Sequence, residues 1–386
     1  MLVDLHAHFP MHLVPDRKPT HDHMREWSRR RFQARLVNFI SHFANYQGPG
    51  DTPSITEPLM RDGDVRVALS VLYAPFDEMD LTKRYGAPPD PSYPADVIAE
   101  LELVEQHVRD SHGKLVIARS PQELDAALGA VDEPRILIHA LEGGCQLGAD
   151  EASVRAHVAE LARRGVAYVT VAHLFFREVA TNAPAIPFLP DWLYNLVFPQ
   201  PRDEGLTELG RVTVNAMLDE GILVDITHMN ERAASETLDI YDERDKGKTV
   251  PVLATHMACR LGKYEYCLTD RIIERVAARG GVLGLIMCEH FITDGRPSVK
   301  TYDDSFAALC AHIDHIHDLT GSYESIGVGT DLDGYIKPAL PGLEHHGRMQ
   351  RFQESLAAKY GPAAGQMISG DNALRALRTA WRTAAP

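Results

Sequence analysis

Along the chain, short runs of apolar, mostly β-branched residues alternate with longer amphipathic stretches. The runs cover residues 2–6, 65–73, 136–142, 166–173, 222–228, 250–256, 282–288 and 325–331. They are apolar at successive positions rather than alternate ones, as a parallel strand buried on both faces requires. Helical periodicity fills residues 150–165, 206–220, 230–243, 270–280 and 302–320. Gly165, Gly221 and Gly281 stand near helix ends, where a tight turn leads into the next strand. Ser120-Pro121-Gln122-Glu123 reads as a capping box with proline at the first helical position. Eight strands in βα alternation predict an α/β fold, a closed (β/α)8 TIM barrel. The alternative is an open doubly wound sheet, but no G-x-G-x-x-G follows the first strand.

Two regions break this rhythm. Residues 9–64 intervene between the first two strands as an insert, with a helix predicted around residues 24–43. Residues 174–204 hold five prolines and Trp192, and read as a long loop on the active-site side of the fourth strand. No Gly/Ser/Pro linker and no solenoid repeat divides the chain, so residues 1–386 are expected to form a single domain.

With 386 residues and 45% hydrophobic side chains, the chain is long and apolar enough for a large core. The net charge of −15 argues against nucleic acid and anionic membranes as partners. The Arg29–Arg31 run is too short to change that and reads as a solvated helix face. Five cysteines without a CxxC pair suit a reducing compartment. The opening MLVDLHAHFP has neither the basic nor the apolar region of a signal peptide, and no apolar run approaches a membrane span. A soluble, cytoplasmic protein is expected.

The 19 histidines carry the chemical signal, because of where they fall. Barrel enzymes keep their active sites at the C-terminal ends of the strands. There the first strand offers His6-Ala7-His8, the third Glu142 before Gly143-Gly144, and the fourth His173. The fifth ends in Asp225-Ile226-Thr227-His228, the sixth in Thr255-His256, and the eighth in Asp331-Leu332-Asp333-Gly334. Imidazole and carboxylate groups ending apolar strands are costly to bury unless paired or bound to metal. A ligand set of nitrogen and carboxylate without cysteine suits zinc, with iron, manganese or cobalt as alternatives. Four histidines and Glu142 are enough for two divalent ions about 3.5–4 Å apart, bridged by the carboxylate.

Other chemistries lack their motifs: there is no G-x-S-x-G, H-E-x-x-H or G-x-x-x-x-G-K-[ST]. Cys145, Cys259 and Cys288 near the same rim read as packing residues. His312, Asp314, His315 and His317 lie on a helix whose rows pack on the barrel or face solvent. His21, His23, His345 and His346 read as loop or surface groups, His139 as a satisfied core histidine, and His290 as one further histidine near the rim.

Five segments carry a resemblance: ALEGG, GLTELGRVTVNAMLDEGILVDITHMN, VLATHMACR, HIDHIHDLTGSYESIGVGTDLDG and MISGDNALRAL. They are similar to the membrane dipeptidase (renal dipeptidase-like) family of zinc peptidases, within the amidohydrolase superfamily of metal-dependent barrels. The resemblance runs from about Leu137 to Arg375, and the first-strand His6 motif extends it to the N-terminus. It implies one metal ion held by His6, His8 and Glu142, and a second by Glu142, His228 and His256. It also implies that His173 contacts the substrate carbonyl oxygen and that Asp331 handles the protons of the attacking water and the leaving amine.

Three departures stand out. The family's first-strand motif is His-x-Asp, whereas this chain has His6-Ala7-His8, which makes the centre one charge unit more positive. The family's carboxylate-binding arginine, about eleven residues past the sixth-strand histidine, meets Glu265-Tyr266-Cys267 here. Arg260 is the one arginine nearby, and so the candidate for binding a substrate carboxylate. The insert after the first strand has no family counterpart. The expected activity is metal-dependent hydrolysis of amide or peptide bonds in small substrates, dipeptides or acyl amino acids, by a barrel that the resemblance makes a possible homodimer. A hydrolase of another acyl compound (N-acyl amino acid, lactam or ester) and a ligand-binding barrel without turnover are the alternatives.

Overall fold

The computed structural model describes residues 1–13, 35–36, 39, 52–73, 89–201, 203–334 and 338–381. Among the described residues there are nine strands: β1 (Leu2–Ala7), β2 (Val65–Leu72), β3 (Leu115–Ile117), β4 (Arg135–Glu142) and β5 (Tyr168–Thr170). The others are β6 (Leu223–Asp225), β7 (Leu253–Met257), β8 (Val282–Leu285) and β9 (Ile326–Val328). All pairings are parallel and run in the order β2-β1-β9-β8-β7-β6-β5-β4. A further ladder, from Val67 opposite Ile136 to Leu72 opposite Leu141, joins β2 to β4 and closes the ring. The result is an eight-stranded parallel barrel wrapped by helices, as the sequence pattern predicts. β3 is additional: its three residues pair with the start of β4, below the point where β5 joins.

Strands five to nine are shorter than the apolar runs suggest. Residues 166–173 contribute only Tyr168–Thr170 to the ladder. At His228 the backbone is left-handed, with φ +67, and no strand continues through that conformation. The helices start where their caps predict. Asp150 and Ser153 form a reciprocal capping box on Glu151–Arg163. Ser120 caps Pro121–Leu128, but Glu123 turns its carboxylate to the Arg119 amide at 2.9 Å instead of completing the box.

Two apolar layers hold the barrel. Inside it, Val3, Leu5, Val67, Leu69, Ile136, Ile138, Leu223, Leu253 and Val282 are fully buried and continue into Leu374, Leu377 and Trp381. The helix Asn372–Ala380 thus plugs the end of the barrel at the strand N-termini. Each such side chain stabilises the fold by roughly 1.5–3 kcal/mol relative to exposure. The larger layer lies between strands and helices. With one mouth closed by hydrocarbon, the polar residues collect at the other.

The loop 174–204 has a small core of its own, made of Phe175, Ile186, Leu189, Tyr194 and Phe198, around the helix Asp191–Val197. In the insert, the short turn Phe9–His12 and the helix Glu57–Asp62 are described. The helix predicted around residues 24–43 falls almost wholly outside the described residues. Among the described residues no helix is long and apolar enough to cross a membrane.

Candidate metal centre

Glu142, the last residue of β4, stands at the middle of the polar mouth and is 1% exposed. Its Oε1 faces Nε2 of His6, His256 and His228 at 3.3, 3.4 and 3.5 Å. Its Oε2 faces Nε2 of His8 and His173, each at 3.3 Å. Five histidines from four strands or their ends therefore turn the same ring nitrogen toward one carboxylate. His6 and His8 approach to 3.3 Å, and His228 and His256 to 3.0 Å.

Two triads have donor atoms close enough to share an ion: His6, His8 and Glu142, and Glu142, His228 and His256. These are the two sets the resemblance implied. A third grouping, His6 with Asp225 and His256, is geometrically as close. Asp225, however, already accepts five hydrogen bonds, from Thr170 Oγ1, the amides of Thr227 and Thr255, and both of their hydroxyls. That carboxylate has no capacity left for a metal, and it braces the end of β6 leading to His228 against the β7 strand that carries His256.

The electrostatics suit cations. Burial would raise the Glu142 carboxyl, but His173 and His6 reverse this and hold it well below its usual range. Burial pushes His228 and His256 down, which keeps them neutral with a lone pair to donate. Burial also opposes charge on His8, but hydrogen bonds to Asp331 and Glu142 prevail and push it up to about 10. A positive charge is favoured at that spot, and a divalent ion supplies one as well as a proton does. Glu142 Oε1 is buried and accepts no hydrogen bond although three imidazoles surround it, which fits an atom aimed at a cation. The residues present therefore fit two divalent ions.

His173 and Asp331 lie at the edge of this cluster. The His173 ring packs 4.6 Å from His228 and 4.7 Å from Tyr73. Asp331 has a left-handed backbone, φ +56, and sends Oδ1 to within 3.1 Å of His8 Nε2 and 3.8 Å of His6 Nε2. Gly334 permits this: a Cβ there would collide with Asp331 Oδ1 and the His8 ring. Asp333 points elsewhere and accepts the Ser54 amide at 3.0 and 3.1 Å, tying the end of the insert to the rim.

Arg260 is not brought to the cluster. Its Nε and Nη2 donate to the carbonyls of Cys267 and Glu265 at 2.9 and 2.7 Å, and Nη1 is 3.7 Å from Glu231. Tyr266 comes nearer: its hydroxyl donates to the His256 carbonyl at 2.5 Å and its ring lies 5.1 Å from that of His228. Cys145, Cys259 and Cys288 are buried and join no ligand triad among the described residues, and burial pushes the Cys288 thiol up to about 12. His290 stacks on Tyr264 at 4.3 Å. His312 is buried between the Cys259 amide and the Ile292 carbonyl, whereas His315 reaches out to Asp270.

Three groups differ from the sequence reading. His346 is not a surface residue: it is fully buried, with Nε2 donating to Asp4 Oδ2 at 2.7 Å. Asp4, to which the sequence pattern gives no structural role, also accepts the His6 amide and both donors of Thr330, bracing β1 against the end of β9. Its signal was a carboxylate two residues before His6 in an otherwise apolar strand. His139 is buried as expected but not satisfied, since neither ring nitrogen has a hydrogen-bond partner among the described residues.

Comparison with known proteins follows the same lines. A Schizosaccharomyces pombe protein described as an uncharacterized dipeptidase is 30% identical over 182 residues, 47% of this chain and 38% of its own length. A second from the same yeast is 28% identical over 219 residues, 56% of this chain and 47% of its own. The chain thus spans less than half the length of these two curated relatives. A Klebsiella pneumoniae protein from the pqqA 5′ region is 23% identical over 76% of this chain and 99% of its own. The fold is shared with a Rhodobacter sphaeroides metallopeptidase solved with a phosphinate mimic of the dipeptide L-Ala-D-Ala. That match has a TM-score of 0.71 at 19% identity and covers 98% of this chain and 99% of the other. A metallopeptidase named dipeptidase AC matches with a TM-score of 0.69 at 21% identity, covering 91% and 96%. The family model for membrane dipeptidase, peptidase family M19, matches residues 2–386, and the chain belongs to that family.

Proposed function

We propose that this protein is a binuclear metal-dependent hydrolase that cleaves the peptide bond of dipeptides. The observation that supports it best is Glu142, whose two buried oxygens face five imidazole Nε2 atoms at 3.3–3.5 Å. In this reading His6, His8 and Glu142 hold one ion, and Glu142, His228 and His256 the other, with zinc the first choice for both. Bound there, the ions supply a water of lowered pKa and Lewis acidity toward a carbonyl oxygen.

The chain's own residues do the rest. His173 lies beside Glu142 at the rim, placed to donate from its ring to the scissile carbonyl oxygen as negative charge develops on it. Asp331 takes a proton from the attacking water and returns it to the departing amine, so one water and one amide become one carboxylic acid and one amine. The Phe175 to Phe198 cluster gives the segment that follows His173 an apolar core of its own. Arg260, bound to its own loop, is not assigned the substrate carboxylate. The whole chain, 1–386, acts as one domain in this reading. Five free, buried cysteines support a cytoplasmic location, and the family resemblance supports a homodimer.

The test is metal analysis of purified protein followed by a screen of dipeptides, N-acyl amino acids and esters for released amine or acid. Two ions per chain with release of free amino acids from dipeptides is the expected result. Activity confined to esters or acyl amino acids would overturn the substrate assignment, and protein that neither holds nor takes up metal would overturn the centre.

A further inference from the structure

Thr255 touches one histidine from each ligand triad. Its Oγ1 lies 3.1 Å from His6 Nδ1 and 3.0 Å from His256 Nδ1. The same oxygen lies 2.6 Å from Asp225 Oδ2. Thr255, His6, His256 and Asp225 are all fully buried, so water does not compete for these groups.

A hydroxyl has one proton to give and two lone pairs to receive with, whereas a carboxylate with several donors around it only receives. The 2.6 Å separation from Asp225 lies in the range of charge-assisted O–H···O⁻ bonds, and the two imidazole contacts are longer. The threonine proton therefore goes to Asp225, and both lone pairs are left for the rings. Each ring must then donate, which places its hydrogen on Nδ1 and its lone pair on Nε2, the atom facing Glu142. Tyr168 adds to this on one side: its hydroxyl donates to the Leu5 carbonyl at 2.9 Å and lies 2.8 Å from His6 Nδ1, so it too accepts from that ring.

We propose that Thr255 is a positioning residue for both metal sites at once, holding His6 and His256 in the Nδ1–H tautomer through one hydroxyl anchored on Asp225. This rests on the two-ion reading of the cluster. The other two histidine ligands have no such support among the described residues, where Nδ1 of His8 and of His228 is buried without a hydrogen-bond partner. Control of tautomer and ring angle thus falls on one histidine in each triad, and a single side chain governs both. Removing that hydroxyl should loosen the two ions together, unlike replacement of a ligand that serves one ion.

The experiment compares wild type, Thr255→Val, which keeps the shape but loses the hydroxyl, and Thr255→Ser, which keeps the hydroxyl. Zinc-loaded proteins are challenged with graded chelator, and retained zinc is counted by elemental analysis. Wild type and Thr255→Ser should retain two ions over the same range, and Thr255→Val should release both at roughly 10–100-fold weaker affinity. Preferential release of one ion, or retention equal to wild type, would overturn the proposal. A second measurement needs no variant: nitrogen-15 histidine NMR of wild type, before and after zinc removal, should show solvent-protected Nδ1–H protons on His6 and His256. An unprotonated Nδ1 on either ring in the zinc-free protein would overturn the proposal even if Thr255→Val fails to fold. Wild type that binds no zinc would instead defeat the two-ion reading, and the proposal with it.

Discussion

Asp331 Oδ1 lies 3.1 Å from Nε2 of His8, the same nitrogen that faces Glu142. The Asp331 backbone is left-handed there, and the proposed role for this carboxylate is proton exchange at the centre. Asp331→Asn keeps the shape but cannot carry the proton, so turnover should fall by ~10²–10⁴ with both metals retained. Kinetics paired with elemental analysis check this. Lower metal occupancy with activity restored by excess zinc would show Asp331 to be a ligand brace instead.

Ligand replacements should divide by triad. His228→Ala and His256→Ala should each lose mainly one ion, whereas Glu142→Ala should disturb both, because its two oxygens face both sets of imidazoles. Ion counts after exhaustive dialysis, read beside a thermal melt to exclude unfolding, decide the matter. Equal losses from all three variants would contradict two separable sites.

Gly334→Ala is expected to be more harmful than its size suggests. The added methyl would meet Asp331 Oδ1 and the His8 ring, which pack against buried strand ends and have little room to retreat. Activity should drop at least 10-fold while the melting temperature changes little, since the barrel core is not involved. Wild-type kinetics in this variant would show that the rim yields easily.

His139 offers a prediction about stability alone. Burial pushes its pKa down from 6.5 to about 4, and both ring nitrogens lack partners among the described residues. Between those values the unfolded chain takes up a proton that the folded chain refuses, so stability falls as pH drops through that window. The slope from this one group approaches 1.4 kcal/mol per pH unit. His139→Leu removes both the buried polar group and the titration, and should stabilise the protein by about 1–3 kcal/mol. Denaturant unfolding of both proteins at pH 7 and pH 5 should show the gap widening at the lower pH. A constant or narrowing gap would count against this account.

Arg260→Ala should loosen the loop it ties together, lowering the melting temperature without changing metal content. Its guanidinium is engaged by the Cys267 and Glu265 carbonyls, so the preference for dipeptides over dipeptide amides should be unaltered. Kinetics on matched pairs of such substrates would expose a direct role, through selective loss on the free carboxylate.

The barrel was legible in the chain because a parallel strand covered on both faces needs a continuous apolar run, and each helix between carries its own stripe and cap. The short β3 was not, since Leu115–Ile117 is too brief for a pattern. The histidines and carboxylates of the centre stood out for a related physical reason: polar groups at the ends of apolar strands are costly to bury unless paired or bound to metal. What no local pattern contains is the pairing of distant groups. That His346 lies beneath β1 against Asp4, 342 positions away, depends on the whole chain closing into a ring. So does the meeting of His6 with Thr255, 249 positions apart. The candidate ligands follow from residue type and strand position, which the sequence states. Their orientation follows from hydrogen bonds between strands that become neighbours only when the barrel closes, and the tertiary structure alone decides those.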